Sequence, residues 1–287
     1  MSEIRKIGVV GAGAMGTGIA LVAAQSGYDV LLRDIEQGRL DSSLRNMDQI
    51  LQRSVAKGRL TDEDRRATLA RVETTTDLDG FAGVDFVIEA IFEDPEAKRA
   101  IFRELDRICR PEVILASNTS SISITDLGAA TSRPSRVCGM HFFNPVPVMK
   151  LVEVIRGYST SSETVATARA VAEAMGKTVV EVKKDSPGFI VNRILMPLLI
   201  EAVRVVEEGI ASPEDVDKAV KLGLNHPMGP LELIDFTGID VCHNVMQYFW
   251  QEFNQPQYAP PQLLRTLVRA GRLGRKTGKG FYDYEGK

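Results

Sequence analysis

The segment KIGVVGAGAMGTGIALVAA, residues 6–24, constrains the fold more than any other part of the chain. A short apolar strand at 7–10 runs into GAGAMG at 11–16, and a helical stretch ending near Gly27 follows. The glycines fit G-x-G-x-x-G in the setting that gives the pattern its meaning, after a strand and at the opening of a helix. Gly11 permits the tight turn, Gly13 lets the backbone approach a pyrophosphate, and Gly16 lets the helix lie close to the strand. Ala14 and Met15 open the helix, whose N–H groups and positive dipole end would face the phosphates. A glycine-rich turn without a ligand is the competing reading. An acidic residue 18 positions after Gly16, Asp34, argues against it.

Asp34 follows a second apolar strand at 28–32. There a carboxylate accepts hydrogen bonds from the adenosine ribose hydroxyls and repels a 2′-phosphate, which favours NAD. The guanidinium of the adjacent Arg33 could pair with that phosphate, so NADP stays open.

Beyond this unit, apolar strands at 84–88, 113–116, 137–140, 150–155 and 178–182 alternate with helical patterns. Such alternation predicts a mostly parallel sheet covered on both faces. Between 36 and 70 the pattern is a charged helical arm, and Asp94-Pro95 reads as the cap and first-turn proline of a helix. Polar residues gather where the strands end: Asp34, Glu93, Asn118, Ser120 and His141. The carboxyl ends of parallel strands line the ligand crevice of an open sheet.

Past residues 185–188 (DSPG) only helical patterns remain. The expected layout is an α/β domain over 1–186 and an all-helical domain over 187–287. Ser186-Pro187 is expected to open a helix that carries Asn192 in its second turn, with Pro197 kinking it later. Ser212 is expected to cap another helix, with Asp215 at its third position. The basic, glycine-rich GRLGRKTGKGFYDY lacks a P-loop ending and reads as structural or as an oligomer contact.

Composition excludes some classes. A net charge of −3 gives no reason to expect nucleic acid or an anionic membrane as partner. The chain has no uninterrupted apolar run of the roughly 18 residues that a span requires. The three cysteines, Cys109, Cys138 and Cys242, are far apart and odd in number. They suggest a reduced, cytoplasmic setting with no disulfide framework and no cysteine-based metal site.

GMHFFNPVPVMKLVEVI, residues 139–155, raises the question of chemistry. Strand alternation puts Leu151, Glu153 and Ile155 on one face, and a carboxylate there is costly unless it is paired. His141 would be a fitting partner, since a carboxylate fixes an imidazole tautomer and stabilises its charged form. A satisfied core histidine with an edge glutamate fits the pattern equally well. SNTSS, residues 117–121, is either a loop with a helix cap or a set of donors for a substrate oxygen beside the nicotinamide.

GAGAMG, SNTSS, the 139–155 stretch, SPGFIVNRIL, NHPMGPLELIDFTGIDV and GRKTGKGFYDY occur in that order, from about residue 4 to the end. Together they resemble the L-3-hydroxyacyl-CoA dehydrogenase family in its short bacterial, 3-hydroxybutyryl-CoA type. The resemblance implies a Rossmann-type NAD domain followed by a helical domain that carries most of a homodimer interface. It implies His141 as catalytic base, Glu153 as its paired carboxylate, Ser120 on the reacting oxygen and Asn192 completing the site. Asn118 matches a residue near nicotinamide and substrate, and Glu93 and Lys98 match positions on the cofactor side. Ser54 and Lys57 resemble positions that hold the nucleotide of an acyl-CoA, although a solvated helix face explains that charge as well. No metal is implied.

Three other functions remain to be weighed. One is the same chemistry on a longer or dicarboxylic 3-hydroxyacyl-CoA. A second is an enzyme of free β-hydroxy acids, which would use a catalytic lysine where this chain has His141 and Glu153. The third is a non-catalytic dinucleotide-binding protein on the same fold, of which loss of the histidine or serine would be the mark.

Overall fold

Alternate residues of the first strands enter different apolar layers, as strand geometry requires when both faces of a sheet are covered. In β1 (Lys6–Val10), Ile7 and Val9 join one cluster and Val10 the other. In β2 (Asp29–Arg33), Val30 and Leu32 divide from Leu31 in the same way. In β4 (Phe86–Glu89), Phe86 and Ile88 divide from Val87. The computed structural model describes residues 4–284. The chain separates into two compact units, one ending at Phe189 and one beginning at Ile190.

The first unit is an eight-stranded sheet in the order β3-β2-β1-β4-β5-β6-β7-β8. Its further strands are β3 (Val72–Thr75), β5 (Ile114–Ser117), β6 (Val137–Phe142), β7 (Leu151–Ile155) and β8 (Thr178–Val182). Every neighbouring pair is parallel except β6 and β7, which are antiparallel. The strand order reverses between β1 and β4, which opens a crevice at their carboxyl ends. Helices α1 (Ala14–Gln25), α2 (Gln37–Ala56), α3 (Asp62–Ala70), α4 (Pro95–Ile108), α5 (Ile124–Ala129) and α6 (Ser162–Ala174) belong to the same unit.

The charged arm is two helices. Gly58, at φ 66°, follows the end of α2, and Thr61 and Asp64 form a reciprocal capping box that starts α3. Strand β3 was not expected from sequence. It is a short edge strand, VETT, with no fully buried residue to mark it. Asp94 caps α4 as expected, its carboxylate accepting from the Ala97 N–H at 2.8 Å.

The second unit contains α7 (Val191–Glu207), α8 (Pro213–Gly223), α9 (Pro230–Thr237), α10 (Ile239–Phe253) and α11 (Gln262–Arg269) around one apolar cluster. Helix α7 begins later than the sequence suggests. Gly188 and Phe189, at φ 74° and 52°, are both left-handed and so cannot belong to a right-handed helix. Asn192 therefore lies in the first turn of α7, not the second. Ser212 caps α8 through the Asp215 N–H. The glycine-rich C-terminal segment is structural within this unit. The buried Asp235 carboxylate accepts from the Phe281 and Tyr282 N–H groups, each at 3.0 Å, and a Cβ on Gly280 would fall 2.1 Å from it. Among the described residues no helix is long and apolar enough to cross a membrane. All three cysteines are free and buried.

Candidate active site

The glycine turn is shaped by close backbone approaches. A Cβ on Gly11, at φ 104°, would lie 2.5 Å from the Ala90 carbonyl oxygen, and one on Gly16 would lie 1.8 Å from that of Gly11. Gly13 differs, because a Cβ there would meet nothing within 4 Å. Its neighbourhood is open, and no side chain caps α1. The first-turn N–H groups of α1 are thus left for an anion. Asp34, 8% exposed, fixes this turn to β2, one oxygen accepting from the Ala12 N–H at 2.8 Å and the other from the Glu36 N–H at 3.2 Å. A pocket of about 380 Å³ adjoins the turn, lined by Gly13, Ala14, Thr17, Arg39, Ser42 and Asn46 among others. Open backbone at Gly13 and uncapped donors at the start of α1 suit the pyrophosphate of NAD.

His141 and Glu153 are direct Cα partners in the β6/β7 ladder. Their side chains point to one face and meet with Nδ1 and Oε2 2.7 Å apart. His141 is 6% exposed and Glu153 is fully buried. A carboxylate only accepts, so the shared proton sits on Nδ1 and Nε2 is left as the basic nitrogen. Phe143 and Phe189 flank the imidazole, with ring centroids 4.4 and 5.7 Å away. The left-handed backbone of Phe189 is a costly one for a bulky residue, and it sits beside this ring. The loop joining the two strands is pinned by Lys177, whose ammonium donates to the Val146 and Met149 carbonyls at 2.5 and 2.9 Å. Burial pushes that ammonium below its ordinary pKa.

The loop after β5 is held by side chains. Asn118 accepts from the Phe142 N–H at 2.9 Å, tying the loop to the strand of His141 and leaving its amide NH₂ to donate elsewhere. Glu93 accepts from the Thr119 hydroxyl at 2.5 Å, the Ser120 N–H at 3.0 Å, and the Ser120 and Ser121 hydroxyls at 3.4 and 3.2 Å. Burial works to raise the Glu93 carboxyl, but the Lys98 charge and the bonds from Thr119 and Ser120 outweigh it and hold it low. Lys98 is 1% exposed and sits behind Glu93, with its Nζ 2.7 Å from Glu89 and 3.4 Å from Glu93.

Glu89 escaped the sequence reading. It is fully buried at the end of the apolar strand FVIE. The question asked of Glu153, why a carboxylate interrupts an apolar strand, would have found it. Asn192 belongs to the second unit and is half-buried. Ser54 and Lys57 lie at the C-terminal end of α2, where the Ser54 hydroxyl bonds the Ile50 carbonyl of its own helix and Lys57 is exposed.

Comparison with known proteins gives a consistent result. Residues 6–186 match the NAD-binding domain of 3-hydroxyacyl-CoA dehydrogenase, and residues 188–284 match its C-terminal domain. The chain is 50% identical to a probable 3-hydroxybutyryl-CoA dehydrogenase of Bacillus subtilis, over 99% of both chains. It is 44% identical to the 3-hydroxyadipyl-CoA dehydrogenase of Escherichia coli, covering 99% of this chain and 60% of that one. Its structure matches the crystal structure of (S)-3-hydroxybutyryl-CoA dehydrogenase from Ralstonia eutropha with a TM-score of 0.96 at 48% identity, covering 99% and 100% of the two chains.

Proposed function

The chain belongs to the 3-hydroxyacyl-CoA dehydrogenase family, whose NAD-binding domain it carries, and on that basis we propose that it interconverts (S)-3-hydroxybutyryl-CoA and acetoacetyl-CoA. The contact between His141 and Glu153 carries the reading. In the oxidative direction, Nε2 of His141 takes the 3-hydroxyl proton, and Glu153 stabilises the imidazolium that results. Ser120 and Asn192 orient the oxygen. In reduction the protonated His141 returns its proton to that oxygen. NAD, when bound, accepts or supplies the hydride at C3, while the chain provides position and charge. Gly11, Gly13, Ala14, Met15, Gly16 and Asp34 would hold the cofactor's pyrophosphate and ribose, and Glu93, Lys98 and Asn118 would serve its nicotinamide end. Ser54 and Lys57 would meet the nucleotide of the CoA.

The Escherichia coli relative favours one second reading, the same chemistry on a dicarboxylic acyl chain. The test is a kcat/KM series with acetoacetyl-CoA, longer 3-oxoacyl-CoAs and 3-oxoadipyl-CoA, each with NADH and NADPH. The proposal expects acetoacetyl-CoA with NADH to lead. A lead of about tenfold or more for 3-oxoadipyl-CoA would overturn it; a tenfold ratio corresponds to about 1.4 kcal/mol of transition-state binding.

We also infer a cytoplasmic homodimer formed through the helical unit. Exposed apolar side chains there support it, including Ile194, Leu222, Leu224 and Phe236. Sedimentation as a single chain at micromolar concentration would remove it.

A further inference from the structure

Glu89 is fully buried, and no step above uses it. We propose that it is a positioning residue, which sets the loop of residues 117–122, and with it the Ser120 hydroxyl, through two arms. One arm runs through Ser117. The Ser117 hydroxyl donates to Glu89 Oε2 at 2.6 Å and accepts from the Thr119 N–H at 3.2 Å. The other runs through Lys98, whose ammonium donates to Glu89 Oε1 at 2.7 Å and lies 3.4 Å from Glu93, the carboxylate that gathers Thr119, Ser120 and Ser121.

All four amides of residues 119–122 end on side chains of this network. Thr119 N–H goes to Ser117 and Ser120 N–H to Glu93. Ser121 and Ile122 N–H go to the Thr119 hydroxyl, at 3.2 and 2.9 Å. The loop has no ladder or helix of its own at these residues, so its conformation is set by the side chains that receive its donors.

The charge of Glu89 matters because Lys98 has two carboxylates within reach and almost no water. Without the Glu89 charge, Glu93 becomes the sole counter-ion of a buried ammonium. The attraction then draws Glu93 toward Lys98 and away from the loop donors. Glu89 thus lets Glu93 bind the loop by taking most of Lys98 for itself.

The inference rests on Ser120 holding the reacting oxygen, and the experiment separates the two. In the full-length Glu89→Gln variant, hydrogen exchange is read by mass spectrometry over residues 117–122, alongside kcat and KM for acetoacetyl-CoA reduction. Exchange at residues 119–122 is expected to quicken about tenfold. The value of kcat is expected to fall by about 10- to 10²-fold, the scale of a misplaced contact, with KM held within about threefold. Unchanged exchange overturns the tether. Faster exchange with unchanged kcat overturns the positioning role. A wild-type chain inert toward acetoacetyl-CoA would sink the functional reading and leave the exchange result standing. Ser117→Ala cuts one arm without altering charge. Should Glu89→Gln fail to fold, it carries the same measurements with the same outcomes.

Discussion

Glu153 stands in β7 between two fully buried valines, Val152 and Val154, and adds nothing to the apolar layer. The imidazole across the ladder meets it at 2.7 Å, and in the proposed reaction that imidazole would use its negative charge when a proton arrives. Sequence pattern alone left His141 and Glu153 as either a dyad or two unrelated residues, because alternation assigns a face but not a partner strand. The register supplies that partner. Glu89 was legible by the same reasoning, whereas Lys98, which the family resemblance put on the cofactor side, shows its pairing with Glu89 only once its burial is known. His141→Gln is expected to keep NADH affinity within a few-fold and to lower kcat by about 10²-fold or more, the usual reach of a general base. NADH fluorescence titration and steady-state rates check it. Turnover within a few-fold of wild type would remove His141 from the mechanism.

At the scale of elements, the turn between β1 and α1 was readable because Gly11 and Gly16 have steric reasons to be glycine, while the expected reason at Gly13 is the approach of a pyrophosphate. Two of those reasons separate experimentally. Gly16→Ala drives a methyl into the Gly11 carbonyl, which is backbone and cannot rotate away. The expected cost is about 1–3 kcal/mol in urea unfolding, together with lost NADH binding. Gly13→Ala meets open space at an ordinary φ of −70°. It should leave the unfolding midpoint unchanged and weaken NADH by about tenfold or more if the pyrophosphate lies there. Equal NADH affinity in Gly13→Ala and wild type would show that the backbone is not approached at this point. Elements governed by weaker signals were misread. VETT is too short and too exposed to announce an edge strand. The start of α7 was placed early, because nothing in Ser-Pro-Gly-Phe marks a phenylalanine as left-handed.

Across the whole molecule, alternating strands and helices announced the layered first unit and its helical successor, since both rest on long-period apolar patterns. The same breadth applies to pH. Asp85 accepts from the Arg5 and Lys6 N–H groups at 2.9 and 3.0 Å and from Arg110 at 2.8 Å. Asp106 accepts from the Ser132 N–H at 2.7 Å and from Arg133 at 2.6 Å. Burial opposes ionisation of both, but these partners outweigh it and hold both carboxyls below their ordinary range. A depressed carboxyl adds stability that is complete above its unfolded value, about 3.9 for Asp, and lost as pH falls through its folded value. The thermal midpoint should therefore stay level between about pH 8 and 5 and fall below about pH 4. A midpoint as high at pH 3 as at pH 7 would contradict this.

The single antiparallel junction of the sheet has a consequence for how such chains vary in length. His141 and Glu153 are brought together by ladder bonds, so their separation does not depend on the number of residues between the strands. Insertions within 143–150 that keep the Val146 and Met149 carbonyls on Lys177 can lengthen the hairpin and leave the pair facing. One residue deleted inside β7, between Leu151 and Glu153, would turn the carboxylate to the opposite side of the sheet. Length can drift in the connection wherever the Lys177 contacts survive, and cannot drift within the strand two residues later.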